Sequence, residues 1–458
     1  MRFLLGLLLI LLLAAGGVFL YAGRLPGPAI DIARPAKYVG QSTPVEVAVT
    51  SPGAALDALT IAFEQNGKQT PLFSLTATGA AEIKQESADR VRITRTIDRQ
   101  AVPDLKTGPA RILVTASRKV VRGIRTVHTT VTRDVQVRLE RPTIAVLSTK
   151  HYVNLGGSEM IVYRASPADV ESGVQVGDVT YRGYPASGAK IEGVHITDPA
   201  VRVAFFALRF DQDVNTPMFA YARDEAGNTA RADFDKLTFP KPFKRSRIEL
   251  NDAFLNRVVP AILETTNEVK PEGDVLQKFL VINGELRRKN AETIAGLARQ
   301  SSREMLWAGV VFHPFTSSAV EAAFADQRTY VYQGKDVDRQ VHLGFDLAKV
   351  VNSPIVAANK GKVVYAAPLG IYGNCVVLDH GMGVQSLYGH LSSIGVQAGQ
   401  EVAKEQELGR SGMTGLAGGD HLHFTMLVNG QMVNPVEWWD PHWIQDRILR
   451  KLKEASGS

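Results

Sequence analysis

His342-Leu343-Gly344-Phe345-Asp346 offers an imidazole and a carboxylate four residues apart, where a glycine lets the chain turn at a strand end. Farther on, His421-Leu422-His423 places two imidazoles on one face of a strand, because side chains alternate with period two. One ligand from that pair, with His342 and Asp346, gives three protein ligands. That count leaves a fourth position of a tetrahedral zinc open, as catalytic zinc sites require. Six of the ten histidines lie between His313 and His423, and the lone cysteine, Cys375, excludes both a cysteine-cluster metal site and an intramolecular disulfide. Any bound metal must therefore be held by histidine and carboxylate.

Working outward, the same third of the chain contains Pro354-Ile355-Val356-Ala357-Ala358, Gly361-Lys362-Val363, Tyr372-Gly373-Asn374, Asp379-His380-Gly381, Tyr388-Gly389-His390, Gly412-Met413-Thr414-Gly415 and Val433-Asn434-Pro435. This ordered series, with the lead-in Phe324-Ala325-Asp326-Gln327-Arg328, resembles the zinc peptidase domain of lysostaphin and LytM, a family of peptidoglycan endopeptidases. The resemblance covers residues 325–440. It implies an antiparallel β peptidase domain holding one Zn2+ through His342, Asp346 and His423, with His390 and His421 as the paired catalytic imidazoles. The substrate it implies is the peptide part of bacterial peptidoglycan. Where the family often has Ser-Thr-Gly-Pro before the His-x-His pair and Glu after the following Phe, this chain has Leu416 to Asp420 and Thr425, so hydrogen bonding around the ligands should differ. Degenerate relatives that have lost ligands act as regulators of other wall hydrolases. All five positions are present here, which favours an active endopeptidase over a regulator, a binding scaffold or an adhesin.

Upstream, alternating segments such as Val45 to Val49 and Arg111 to Thr115 predict antiparallel β structure. The turn Asp224-Glu225-Ala226-Gly227-Asn228 between two short strands resembles the last hairpin of bacterial immunoglobulin-like domains. Two immunoglobulin-like β-sandwich modules are expected, at 25–140 and 141–240. A helical connector should follow at 241–324, since Leu250, Phe254, Val258 and Ile262 recur at helical spacing after Asn251-Asp252. Pro260 should kink or shorten its first helix, and Asn290 should break or cap the second. The helical region 245–300 or a β module is expected to cover the groove until displaced, and a regulatory protein partner is a further expectation. Residues 441–458, with Ile444, Ile448 and Leu452 among basic residues, predict an amphipathic helix that docks on the protein's own body rather than on a membrane surface.

Phe3 to Gly23 carries no charge and is long enough, at 1.5 Å per residue, to cross a hydrocarbon core of roughly 30 Å. It exceeds a signal-peptide core, which favours an uncleaved anchor at 1–24 in a bacterial inner membrane, with the rest of the chain in the periplasm. The 458 residues, 45% hydrophobic and 21% charged, exclude a mainly disordered or polytopic membrane protein. The net charge of +6 is local, because eleven basic and four acidic residues lie between Val91 and Glu140. Interleaved with Val, Ile and Leu, they read as a solvated strand face, not as a nucleic-acid tail. Cys375 in an apolar strand reads as a buried thiol, His380 as a structural histidine, and Tyr388 as either packing or substrate contact.

Overall fold

The computed structural model describes residues 2–53 and 55–457. The protein is mainly β and divides into two compact units, Met1–Pro142 with Arg223–Thr229, and Thr143–Ala222 with Ala230–Ser458. The first begins with the helix Arg2–Arg24, of which Gly6–Arg24 is long and apolar enough to cross a membrane, a property that signal sequences share. After it come a four-stranded and a five-stranded sheet. Val45, Val47 and Ile93 from one sheet and Ile61, Phe63, Ile112 and Val114 from the other share a single core. The basic residues alternate with these. Arg90 and Arg92 meet Glu86, Arg111 meets Asp134 and Lys119 meets Asp57, so part of the excess charge is neutralised locally.

In the second unit, the segment from Thr143 to Phe239 forms two further four-stranded sheets and one parallel strand pair. Its core does not close on itself. Met160, Val162, Val203 and Phe205 belong to the same continuous cluster as Tyr388, Phe424 and Trp438 of the C-terminal part. That part is built on an eight-stranded sheet in which all pairings are antiparallel, with Phe345–Ala348, Leu422–Val428, Val384–Leu391 and Asn374–Gly381 as consecutive central neighbours. Along each strand successive side chains take opposite faces. One face sends Val376, Leu378, Phe424 and Met426 into the shared core, and the other presents Cys375, Val377, Leu387 and Leu427 to the connector.

The connector begins with the helix Asp252–Thr265, whose cap Asn251 accepts the Phe254 amide at 2.9 Å. Pro260 neither ends nor shortens it, because the helix continues to Thr265 with Pro260 on its exposed side. A reciprocal cap between Asp274 and Gln277 then starts Val275–Val281, which passes through a π turn, Ile282–Leu286, into Arg287–Leu297. Asn290 lies inside that last helix, buried, and breaks nothing. Buried connector side chains, among them Leu255, Val259, Phe279 and Leu286, share a core with the eight-stranded sheet. At about 1.5–3 kcal/mol per buried apolar side chain, lifting the connector off would cost on the order of 10 kcal/mol or more, comparable to the whole stability of a domain. The connector is therefore packed as a wall of this sheet. The C-terminal helices are also seated: Ile444, Ile448 and Leu452 are buried, and the Lys451 ammonium bonds Glu159 at 2.8 Å.

Candidate active site

Sheet register brings the predicted residues together. Asp346 stands directly opposite His423, which on its other side stands opposite Gly389, so three strands contribute one row, and His390 is the next residue along. His342 ends the strand Lys335–His342 of a separate three-stranded sheet, and Gly344 carries the chain from there into the main sheet. A side chain at Gly344 would come within 2.5 Å of the His423 ring and of Thr425 Oγ1. The glycine between His342 and Asp346 is therefore required by close approach.

His342 Nε2, Asp346 Oδ1 and His423 Nδ1 form a triangle with sides of 2.9, 3.0 and 3.0 Å. Ligands about 2.0–2.1 Å from a tetrahedral zinc lie about 3.3 Å apart, so the triangle needs to expand only slightly to hold the ion. The remaining atoms of the three groups are already oriented. His342 Nδ1 donates to the Ala323 carbonyl at 3.2 Å. Thr425 Oγ1 gives its proton to the Leu343 carbonyl at 2.7 Å and so accepts from His423 Nε2 at 3.1 Å, which leaves the Nδ1 lone pair facing the site. Thr425, where the family often has Glu, thus orients the ligand by a different group. Asp346 Oδ2 is taken by Arg328 Nη2 at 3.2 Å. Such outer contacts fix tautomer and ring orientation in metal sites.

The other two histidines stand beside this triangle, with the His390 ring 4.9 Å from His421 and 5.7 Å from His423. Each donates Nδ1–H to a carbonyl, His390 to Thr414 and His421 to Gly419, both at 2.8 Å, so each has Nε2 left for the site. His421 Nε2 lies 3.4 Å from Asp346 Oδ1. His390 holds φ at 65°, a left-handed conformation uncommon outside glycine and often found at functional positions. The turn is clamped by Thr414, which accepts the Asn374 amide at 3.0 Å and donates to the Leu391 carbonyl at 2.9 Å.

Electrostatics differ across the cluster. Burial works against ionisation of Asp346, but His342 and hydrogen bonds from His342, His421 and His423 hold its carboxyl well below the usual range. Burial, followed by His421 and His423, pushes His390 well down, and burial takes His423 to about 4. Burial also opposes charge on His421, yet its bond to Asp346 prevails and its pKa rises. One cavity therefore contains groups of opposite protonation tendency, a pattern frequent in catalytic sites.

That cavity, of about 170 Å3, has walls from residues to which the sequence reading gave no place among the site residues. Phe254, Phe279 and Arg287 come from the connector, Arg328 from the strand Asp326–Tyr332, and Tyr372 from the motif turn, its ring 5.4 Å from His423. Asn290 Oδ1 accepts the Ile371 amide at 3.0 Å and so ties that turn to the connector. Tyr388 does not reach the cavity: it is buried, accepting the Ala358 amide at 2.8 Å and a Ser386 hydroxyl bond at 3.0 Å. His380, bonded to the Lys360 carbonyl and to Ser386, and the buried Cys375, whose pKa burial raises, belong to the core.

Residues 340–435 match peptidase family M23, so the chain carries an M23 peptidase domain toward its C-terminus. The DD-carboxypeptidase/endopeptidase Mpg of Neisseria meningitidis is 39% identical over 97 residues, 21% of this chain and 22% of Mpg. The peptidoglycan DD-endopeptidase ShyA of Vibrio cholerae is 38% identical over 96 residues, with the same coverage. The chain thus spans about a fifth of the length of these curated relatives. Among solved structures, the catalytic domain of lysostaphin from Staphylococcus simulans aligns at 26% identity with a TM-score of 0.23, covering 27% of this chain and 92% of that domain.

Proposed function

We propose that this protein is a membrane-anchored, zinc-dependent endopeptidase that hydrolyses peptide cross-links of bacterial peptidoglycan. The observation that carries this reading is the preoriented His342, Asp346 and His423 triangle, with Nε2 of His390 directed beside it and Nε2 of His421 turned toward Asp346. When bound, zinc supplies Lewis-acid polarisation of the scissile carbonyl and acidifies a water. His342, Asp346 and His423 hold the ion, and Ala323, Arg328 and Thr425 fix their orientation. His390 and His421, anchored through Nδ1, exchange protons through Nε2 with the attacking water and the departing amine, general acid–base help worth about 10²–10⁴-fold.

The helix Arg2–Arg24 serves as a single-pass inner-membrane anchor and places the remainder in the periplasm beside its substrate. The β segments at 25–140 and 141–240 act as immunoglobulin-like spacers, 241–324 as connector, 325–440 as the peptidase domain and 441–458 as a seated C-terminal helix. The test is zinc content together with muropeptide release from purified sacculi, comparing the full chain with its His423→Ala variant. Release by the native protein and its loss in the variant are expected. Native protein that binds no zinc and releases nothing would overturn the reading in favour of a non-catalytic scaffold.

A further inference from the structure

Arg287 and Arg328 belong to neither histidine motif, yet both line the cavity that contains His342, Asp346 and His423. Their bonds within the protein use only Nε and Nη2. Arg287 Nε donates to the Asn283 carbonyl at 3.0 Å and its Nη2 to Asn283 Oδ1 at 2.6 Å. Arg328 Nε reaches Asp326 Oδ2 at 3.4 Å and its Nη2 reaches Asp346 Oδ2 at 3.2 Å. Nη1 of each is left for a ligand.

The two differ in charge balance. Arg328 faces two carboxylates, whereas the partners of Arg287 are an amide and a carbonyl, so its positive charge is uncompensated at the cavity wall. Phe254, Phe279 and Leu416 line the same space. A half-buried cation beside apolar side chains gains most from an anionic partner, since water there screens it poorly. The planar guanidinium fork matches a carboxylate. The volume of about 170 Å3 is below the roughly 300–1,000 Å3 of sites that engulf drug-sized ligands, which suits one carboxylate-bearing residue rather than an extended polymer.

We propose that Arg287, which lines the same cavity as Arg328, forms a carboxylate-binding subsite that fixes a free carboxylate of the substrate peptide beside the metal centre. The inference rests on the peptidase reading and adds to it what the substrate must carry. It also gives the connector a role, because Arg287 leaves the π turn at a point that only the connector supplies.

The test uses the zinc-loaded full chain and two probes, a synthetic stem tetrapeptide with free carboxylates and its fully amidated counterpart, with binding read by calorimetry. The native protein should bind the free acid about 10- to 100-fold more tightly than the amide, the range for hydrogen bonds to charged groups. Arg287→Gln should erase that preference and leave amide binding and zinc content unchanged, while Arg287→Lys should restore part of it. No preference in the native protein, equal losses on both probes or no loss on either would overturn the subsite. Cleavage of a cross-linked dimer is scored separately. A native protein that shows the preference but cleaves nothing loses the peptidase reading and keeps the subsite. One that cleaves without the preference does the reverse.

Discussion

Replacing Lys451 by Met tests whether the C-terminal helix is held on the protein's own body by a buried ion pair. The side chains of Lys451 and Glu159 are 1% and 0% exposed, with Nζ 2.8 Å from Glu159 Oε1. The ammonium also donates to the Met160 carbonyl at 2.9 Å. Burial pushes the Glu159 carboxyl up and the Lys451 ammonium down, and their mutual attraction opposes both shifts. Methionine preserves most of the apolar stem, so little cavity opens and the cost is that of a carboxylate stripped of its counter-charge. Breaking a buried pair in this way costs about 3–5 kcal/mol. Glu159 would keep the Met160 amide at 2.8 Å, the Tyr152 amide at 3.0 Å and Arg447 at 4.0 Å, which points to the lower end. In a unit of this size, at about 2.1 cal/mol/K of unfolding entropy per residue, about 3 kcal/mol lowers the melting temperature by roughly 5 °C. The assay is thermal unfolding followed by tryptophan fluorescence, since Trp438 and Trp443 pack beside this helix with ring centroids 5.1 Å apart. The double variant Glu159→Gln with Lys451→Met removes the stranded charge and should recover most of the loss. A single variant within 1 kcal/mol of native, or a double variant no better than the single, would refute the reasoning and leave the apolar contacts of Ile444, Ile448 and Leu452 as what holds the helix.

Three further outcomes are expected. His380 is buried as the neutral form with its pKa lowered to about 4, by burial first. Its contribution to stability is complete above its unfolded value near 6.5 and is lost as pH falls from there toward 4, up to about 3 kcal/mol. Melting temperature against pH should show that decline, and His380→Gln should make it shallower, the remainder coming from the other buried histidines such as His423 and His151. Thr425→Val removes the acceptor that fixes the His423 tautomer and should weaken zinc about 10–100-fold in chelator competition with the fold intact. Unchanged affinity would mean that Thr425 orients nothing. Asn290→Ala frees the Ile371 amide and with it the turn carrying Tyr372, so kcat/KM should fall about tenfold at unchanged zinc content, a misplacement effect. An equal fall in zinc content would show that the turn supports the ligands instead.

The candidate metal group could be proposed from sequence because local geometry supplies His342, Asp346 and one histidine of the His421/His423 pair, with the family resemblance choosing His423. Period-two alternation puts His421 and His423 on one side of a strand, and a glycine between His342 and Asp346 permits the close approach. The walls of the cavity have no such signature. Arg328 reaches Asp346 because its strand pairs with the one ending in His342, and Arg287 because a helix packs against Cys375, Val377 and Leu387. Both depend on contacts far apart in sequence. Tyr388 shows the converse. Period-two counting puts it on the face of His390, but Tyr388 stands opposite Phe424 on the core face and it is His390, with its positive φ, that leaves the alternation.

The same distinction explains why the connector looks separate in sequence and is not separate in space. Its helical period announces a new element after Pro242, yet period alone does not say what the apolar stripe covers. Its partner is the sheet face that also carries His423, so the helices that complete the fold necessarily end beside the metal ligands. Leu255, Val259 and Phe279 anchor them there, and Arg287 and Asn290 are the polar side chains that emerge at that edge, one toward the cavity and one toward its turn. A peptidase domain cut free at residue 325 would retain all five histidine and aspartate positions while losing a cavity wall and exposing Cys375, Val377, Leu387 and Leu427. Reduced turnover in such a fragment would therefore follow from lost structure.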